Sequence, residues 1–300
     1  MRPPLGDSQR PMVNPVGVDA LPRIKALVEN RVDLPVMPRI AATVMREVAN
    51  QASNADRLAR LLSSDEALAA RIMRVSNSTF YRRKLPTTTI QRAVVQLGRT
   101  MVRDLVVSLS SQSMYRKADA LSERLWEHAI ATGLACGLIA EQSRKAEKDE
   151  AFIVGLLHDV GKTVLMVNDE AKFREVVARM AKEGIESWVA EEEAFGCHHA
   201  AVGGVMLMQW ELPMHQVNAI LWHHHLEDLD AVPESGRELS CVVHVADMIT
   251  NHLGINSTGL EKDLILDTPA QKLLALSDAQ IEGLVEKTRE RYEEEKDIFS

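Results

Sequence analysis

The sequence is poor in aromatic residues, which make up 4% of its 300 positions. Its apolar content, 46% of the chain, therefore rests mainly on Leu, Val, Ala, Met and Ile. Few stretches alternate apolar and polar residues, so the composition argues against a sheet protein and predicts helices. Cysteine is scarce: Cys136, Cys197 and Cys241 are odd in number, widely spaced and without a CxxC pair. A disulfide framework is excluded, and a reducing cytoplasm is the expected setting. No apolar run is long enough to span a bilayer, so no membrane partner is expected. Residues 1–18 contain four prolines and no apolar core of the signal-peptide kind, and read as a disordered tail. Internal repeats and long low-complexity segments are lacking.

The net charge of −8 is unevenly spread. Residues 1–118 carry 19 Lys and Arg against 9 Asp and Glu, and residues 119–300 carry 16 against 34. Two halves of opposite sign either attract one another internally or leave a basic face for an acidic partner.

The first half reads as short helices: about 20–30, one opened by Pro38, one from Asn54 capped by Ser53, one capped by Asp65, then 90–97 and about 100–115. Residues 90–98 followed by a helix have the spacing of a helix-turn-helix. Val94, Val95 and Leu97 read as core, however, and the second helix is too apolar for a nucleic-acid groove. The basic residues Arg82, Arg83 and Lys84 have only Phe80 and Tyr81 interleaved, so a nucleic-acid partner is not expected.

The second half is organised around residues 152–162, FIVGLLHDVGK. The spacing of Phe152, Leu156 and Asp159 predicts one apolar helix that carries His158 and Asp159 in its last turn and stops at Gly161. A buried carboxylate needs a partner or a metal. A long helix from Leu121 to about Ser143 has the inward stripe Leu121, Leu125, His128, Thr132, Ala135 and Ile139. Residues 187–195 read as a helix with Glu191, Glu192 and Glu193 on a solvated face. His199 opens another helix after Cys197 and His198. His223 and His224 end the helix that Pro213 starts. Leu239, Val243 and Asp247 recur at steps of four on a further helix, and a last helix runs from Asp278 to about Lys296. His128, His158, Asp159, His199, His223, His224 and Asp247 thus lie on five helices, each on or near an apolar face. Imidazole suits iron, nickel or zinc, and carboxylate suits manganese or magnesium. The mixed set predicts one or two divalent ions.

The order His128, His158-Asp159, Asp247 resembles the H…HD…D signature of the HD superfamily of all-helical metal phosphohydrolases. More closely, the chain resembles an HDOD domain, the HD-related output domain of bacterial signalling proteins. The likeness is carried by residues 34–38, 65–77, 90–98, 125–128, 152–162, 195–199 with Val202-Gly203, 210–213, and His223-His224. It implies an all-α helical bundle of HD type: an N-terminal helical subdomain (19–118), an HD-like metal-site subdomain (119–255) and a C-terminal helical extension (256–300). By HD-family roles, His128, His158, Asp159 and Asp247 would hold one metal, and Asp159 would bridge to a second completed by His199, His223 and His224. Lys162 matches a lysine that would face phosphate in HD-GYP phosphodiesterases; as a residue near a helix C-terminus it would otherwise answer the helix dipole. Residues 225–233, HLEDLDAVP, lack the Gly-Tyr-Pro that follows the His pair in those enzymes, so cyclic-di-GMP hydrolysis is disfavoured. His198, His225 and His244 fall outside the matched positions and are expected to support the site.

The resemblance leaves two functions open. One is a regulatory signalling module that works through a signalling protein partner or a nucleotide ligand. The other is a metal-dependent phosphohydrolase acting on a nucleotide or phosphate ester, with Asp159 and Lys162 at its chemistry.

Overall fold

The computed structural model describes residues 15–16, 20–29, 39–50, 52–79, 81, 86–112 and 119–299. Most of the expected tail, residues 34–38 with the helix-opening Pro38, and the segment holding Phe80 and residues 82–84 lie outside the described residues.

The described residues form helices and no strand. In chain order they are α1 (Leu21–Glu29), α2 (Arg39–Ala49), α3 (Ala55–Leu62), α4 (Glu66–Asn77), α5 (Ile90–Leu97), α6 (Arg99–Gln112), α7 (Ala120–Ser143) and α8 (Lys148–Leu157). These are followed by α9 (Val160–Asn168), α10 (Glu170–Glu183), α11 (Ser187–Phe195), α12 (His199–Gln209), α13 (Met214–Trp222), α14 (Arg237–His252), α15 (Pro269–Leu273) and α16 (Asp278–Phe299).

Side-chain caps start several of them where the sequence places a short polar residue. The Asp65 carboxylate accepts from Leu68 N at 3.0 Å, and Thr89 Oγ1 accepts from Arg92 N at 3.2 Å. At α3 the cap is Asn54, which accepts from Arg57 N at 3.0 Å, and not the expected Ser53, which is buried. On α5 the expected core position Val95 is 65% exposed, whereas Ala93, Val94 and Leu97 face inward. Ile90, Ala93, Val94 and Leu97 share one face at helical spacing, and Val95 falls off it.

The core is built on α7. Its stripe Leu121, Leu125, His128, Thr132, Ala135 and Ile139 is buried throughout, as steps of three and four require. Helix α8 folds back on α7 after a left-handed Arg144 (φ 57°). The two approach closely because Gly155 carries no side chain: a Cβ there would lie 2.6 Å from Cys136 Sγ and 2.8 Å from Thr132 O. Helix α14 lies against α7, with Thr132 Oγ1 and Thr250 Oγ1 3.1 Å apart, and α16 crosses the same helix. From the first half, α6 packs on α8, α4 on α16, and α1 on α9 and α12.

The expected single helix through Asp159 is two helices. Helix α8 stops at Leu157, and α9 starts at Val160 after His158 (φ −56°, ψ −35°) and Asp159 (φ −101°, ψ 9°). Gly161 is therefore not a left-handed helix terminator; it lies in the first turn of α9. Its bare Cα admits α12, since a Cβ would sit 2.0 Å from His199 O and 2.8 Å from Gly203 N.

Candidate metal centre

Four helix ends or turns and two helix interiors converge on one buried cluster. His158 and His223 are the C-cap residues of α8 and α13. A helix leaves its last carbonyls without intrahelical donors. Each of these histidines gives its Nδ1 proton to the carbonyl three residues back, Gly155 O at 2.7 Å and Ile220 O at 2.6 Å. That fixes the tautomer, so both Nε2 atoms carry lone pairs. Both Nε2 atoms are buried and without a hydrogen-bond partner.

His128, from the middle of α7, donates from Nδ1 to Ile255 O at 2.7 Å. Its Nε2 lies 3.3 Å from Asp159 Oδ2 and 3.1 Å from Asp247 Oδ1. His158 Nε2 lies 3.4 Å and 3.8 Å from the same two oxygens. Asn251, one turn after Asp247 on α14, donates to Asp247 Oδ1 at 2.8 Å and holds that carboxylate.

His199, at the start of α12, is oriented by Glu191. One oxygen of Glu191, Oε2, accepts from His199 N at 2.8 Å and from His199 Nδ1 at 2.6 Å. His199 Nε2 is thereby left with a lone pair that faces His224 Nε2 at 2.9 Å and Asp159 Oδ1 at 3.1 Å. The last contact sets one acceptor against another, and Oδ1 has no hydrogen-bond donor. Two buried acceptors at that distance repel unless a cation lies between them. Asp159 thus turns Oδ2 to His128 and His158, and Oδ1 to His199. The ligand atoms fall into two groups, His128–His158–Asp159 and His199–His223–His224, each within 4.8 Å internally. These groups could hold a metal, and the orphaned nitrogens and the facing acceptors fit one.

Charges within the cluster are set by burial and by neighbours. Burial pushes His199 down to about 3 and pushes His223 and His224 well below the usual imidazole range. Burial also lowers His128, but Asp159 and Asp247 outweigh it and hold this imidazole at about 9. Burial would raise Asp159; the Lys162 ammonium and the hydrogen bond from His128 overcome it and keep the carboxylate well below its ordinary value. Glu191, fully enclosed, is pushed up to about 7 by burial.

A small cavity joins the cluster to the surface. It leaves ≈ 20 Å³ for a water-sized sphere, and His128, Lys162, Asp247, Glu186, Asn256 and Lys262 are among the residues that line it.

The model of the HDOD domain matches residues 34–226 of the chain. The chain belongs to the HDOD family. An uncharacterized protein of Treponema pallidum is 25% identical to it over 233 residues, which is 77% of this chain and 45% of that protein. The chain therefore spans less than half the length of this curated relative. Among solved structures, an HDOD domain protein of unknown function from Geobacter sulfurreducens is 25% identical, with a TM-score of 0.67 over 90% of this chain and 88% of that one. A candidate phosphohydrolase from Shewanella amazonensis has a TM-score of 0.70 at 22% identity, over 96% of this chain and 100% of that one, which shows the shared fold. No described helix is long and apolar enough to cross a membrane.

All seven residues expected as metal ligands in this HDOD chain come together in the one cluster. Lys162 joins them in another place than expected. It lies in the first turn of α9, 7% exposed, with Nζ 2.6 Å from Asp159 Oδ2. A helix C-terminal role is excluded by that position. Glu191 corrects the reading of residues 191–193 as one solvated face: it is 1% exposed and holds His199, whereas Glu192 and Glu193 are exposed. Of the outlying histidines, His244 Nδ1 donates to His223 O at 2.8 Å, and His198 Nε2 is 3.0 Å from Pro15 O. His225 packs against Trp188, with ring centroids 5.0 Å apart. The Ile255 carbonyl had no sequence signal, since any residue supplies one.

Proposed function

We propose that this protein is a regulatory HDOD module built on a divalent-metal centre. His128, His158, Asp159 and Asp247 hold one ion, and His199, His223 and His224 hold a second, with Asp159 between the two. The supporting observation is that lone pairs converge with nothing to satisfy them: the buried Nε2 atoms of His158 and His223, and Asp159 Oδ1 facing His199 Nε2. Metal-ligating histidines donate their second ring nitrogen to a carbonyl or carboxylate, and His128, His158, His199 and His223 do the same. Imidazoles with carboxylates suit iron, manganese, nickel, zinc or magnesium. An ion in such a set supplies Lewis acidity toward an anionic oxygen.

Regulation is favoured over turnover by the access route. The cavity has room for about one water, far less than a nucleotide needs. The residues of this chain therefore hold the ions and exclude solvent, and output passes to a signalling partner through protein contacts. The second reading is a metal-dependent phosphohydrolase. It is favoured by Lys162, a cation that lines the cavity beside Asp159 and could meet a phosphate there.

A hydrolase screen of metal-loaded protein separates the two. Phosphate monoesters, diesters and nucleotides are offered to the wild type and to Asp159→Ala. The regulatory reading predicts equal, background rates in both. Turnover by the wild type that disappears in Asp159→Ala would replace it with the hydrolase reading.

A further inference from the structure

We infer that residues 260–266 are an open strand edge, and that it takes an extended segment of a partner protein in which basic residues alternate with apolar ones. No residue of the metal centre lies in this segment, so the inference goes beyond the metal reading and holds whether or not the centre is loaded. The segment also lies beyond residues 34–226, the part matched by the family model.

Between α14 and α15 the chain runs from Gly259 (φ 70°) to Asp267 (φ 64°) without a helical turn. Burial alternates along it. Lys262, Leu264 and Leu266 are half-buried, whereas Asp263, Ile265 and Asp267 are exposed. Leu264 and Leu266 pack on the core, and Ile265 is 61% exposed. A period of two is that of a strand. Yet the described residues contain no strand to pair with it. The N–H and C=O groups of Glu261 and of residues 263–266 have no hydrogen-bond partner among the described residues.

The segment is tied at both ends, so the edge exists before a partner arrives. Asn256 Nδ2 donates to Leu260 O at 2.8 Å. Lys262 N donates to Asn251 O at 3.1 Å, and His252 Nδ1 donates to Lys262 O at 2.9 Å. At the far end Asp267 N donates to Gln271 Oε1 at 2.8 Å, and Thr268 Oγ1 accepts from Gln271 N at 3.1 Å. Both backbone bonds of Lys262 face α14. In an extended chain the backbone groups of residues two apart point the same way, and those of neighbours point the opposite way. Glu261, Asp263 and Ile265 therefore turn N–H and C=O away from α14, about 6.6–6.8 Å apart along the chain, which is the repeat of a strand ladder. A preformed edge spares part of the ordering cost of association.

The exposed face decides the occupant. It carries Glu261 and Asp263 beside Ile265. The one cation of the segment, Lys262, is paired with Glu186 at 3.1 Å. A second copy of the segment would set acids beside acids, which is unfavourable across a strand pair, and charged residues on an edge are a common bar to such pairing. An antiparallel partner with Lys or Arg at every second position puts cations opposite Glu261 and Asp263 and lays an aliphatic stem over Ile265. The apolar residues between them fall beside Leu264 and Leu266. Main-chain bonds supply the affinity and the acidic face selects the sequence.

The test is fluorescence anisotropy of a labelled peptide of alternating Lys and Val, titrated with the full chain as wild type, Ile265→Pro and Asp263→Asn. Ile265→Pro removes a donor that has no partner in the protein, so it costs the fold no hydrogen bond, and circular dichroism checks this. Two further peptides leave the protein untouched: one N-methylated at its Lys residues, and one with Glu in place of Lys. The expected result is saturable binding of the Lys–Val peptide by the wild type. Ile265→Pro and N-methylation should each weaken it about tenfold or more, and Asp263→Asn several-fold. No saturable binding by the wild type, undiminished binding by Ile265→Pro or of the N-methylated peptide, or equal binding of the Glu–Val peptide overturns the inference. Sedimentation velocity without peptide reads the other occupant: a dimer that falls to monomer in Ile265→Pro would give the edge to a second copy and overturn the partner assignment. None of these readouts depends on metal, so their failure leaves the metal reading standing.

Discussion

Glu191→Ala is the substitution whose consequence the geometry defines most narrowly. Glu191 touches the histidine–carboxylate cluster at one residue, His199, through bonds of 2.8 Å from the backbone N and 2.6 Å from Nδ1. Its loss removes a charge-assisted hydrogen bond of about 1.5–3 kcal/mol and frees the ring to rotate. A metal-ligand histidine deprived of its carboxylate orienter typically loses about 10–100-fold in metal affinity. The two figures agree, since about 1.4 kcal/mol is one factor of ten. The loss should be confined to one ion. His128 and His158 have their own orienters, Ile255 O and Gly155 O, and neither touches Glu191. Glu191→Gln keeps the volume and an acceptor oxygen, so it should fall at the lower end of the range. Competitive metal titration against a chromophoric chelator reads both variants, with urea denaturation as the control for folding. The reasoning is refuted if Glu191→Ala folds, binds two ions and binds both as tightly as the wild type.

Gly161→Ala should lower the urea midpoint by on the order of 1–3 kcal/mol of stability, because its methyl would meet the backbone at His199 O, 2.0 Å away, and backbone cannot swing aside; an unchanged midpoint would show that α9 and α12 separate freely. The metal-free protein should lose stability as pH falls from about 6.5 toward 4. Burial holds His198 down at about 4 in the folded state while the unfolded chain takes up its proton near 6.5. The unfolded state therefore binds more protons in that window, and the loss reaches about 3 kcal/mol at most before levelling. His198→Gln should remove that share of the limb in a pH series of denaturation midpoints, while His199, His223 and His224, held down in the same way, keep the rest; a limb that keeps its full slope in the variant would assign it wholly to those groups.

Much of the helical frame was legible because caps and periodicity are local. Asp65 caps where it stands in sequence, and the α7 stripe is buried from Leu121 to Ile139. The convergence of the histidines and aspartates was legible for a related reason: polar residues on apolar faces are costly, so their recurrence on several helices is informative. What could not be read depended on tertiary phase. Glu191, Glu192 and Glu193 are chemically identical, and only the packing of α11 decides that the first is enclosed. The break between α8 and α9 is hidden because residues on both sides are apolar and helical, and His158 itself keeps a helical backbone. Gly161 has one letter for two purposes, ending a helix or admitting a neighbour, and the neighbour here is 38 residues away in sequence at His199. The Ile255 carbonyl reaches His128 across 127 residues of chain, which no spacing rule foresees.

The central claim is that the buried imidazoles and carboxylates hold metal. Elemental analysis of purified protein, wild type beside Asp159→Ala, tests it most directly, because Asp159 alone turns one oxygen to each group of histidines. The account predicts one or two equivalents of a divalent metal in the wild type and a clear loss in the variant. A wild type without metal after reconstitution, or a variant that retains the full complement, would contradict it.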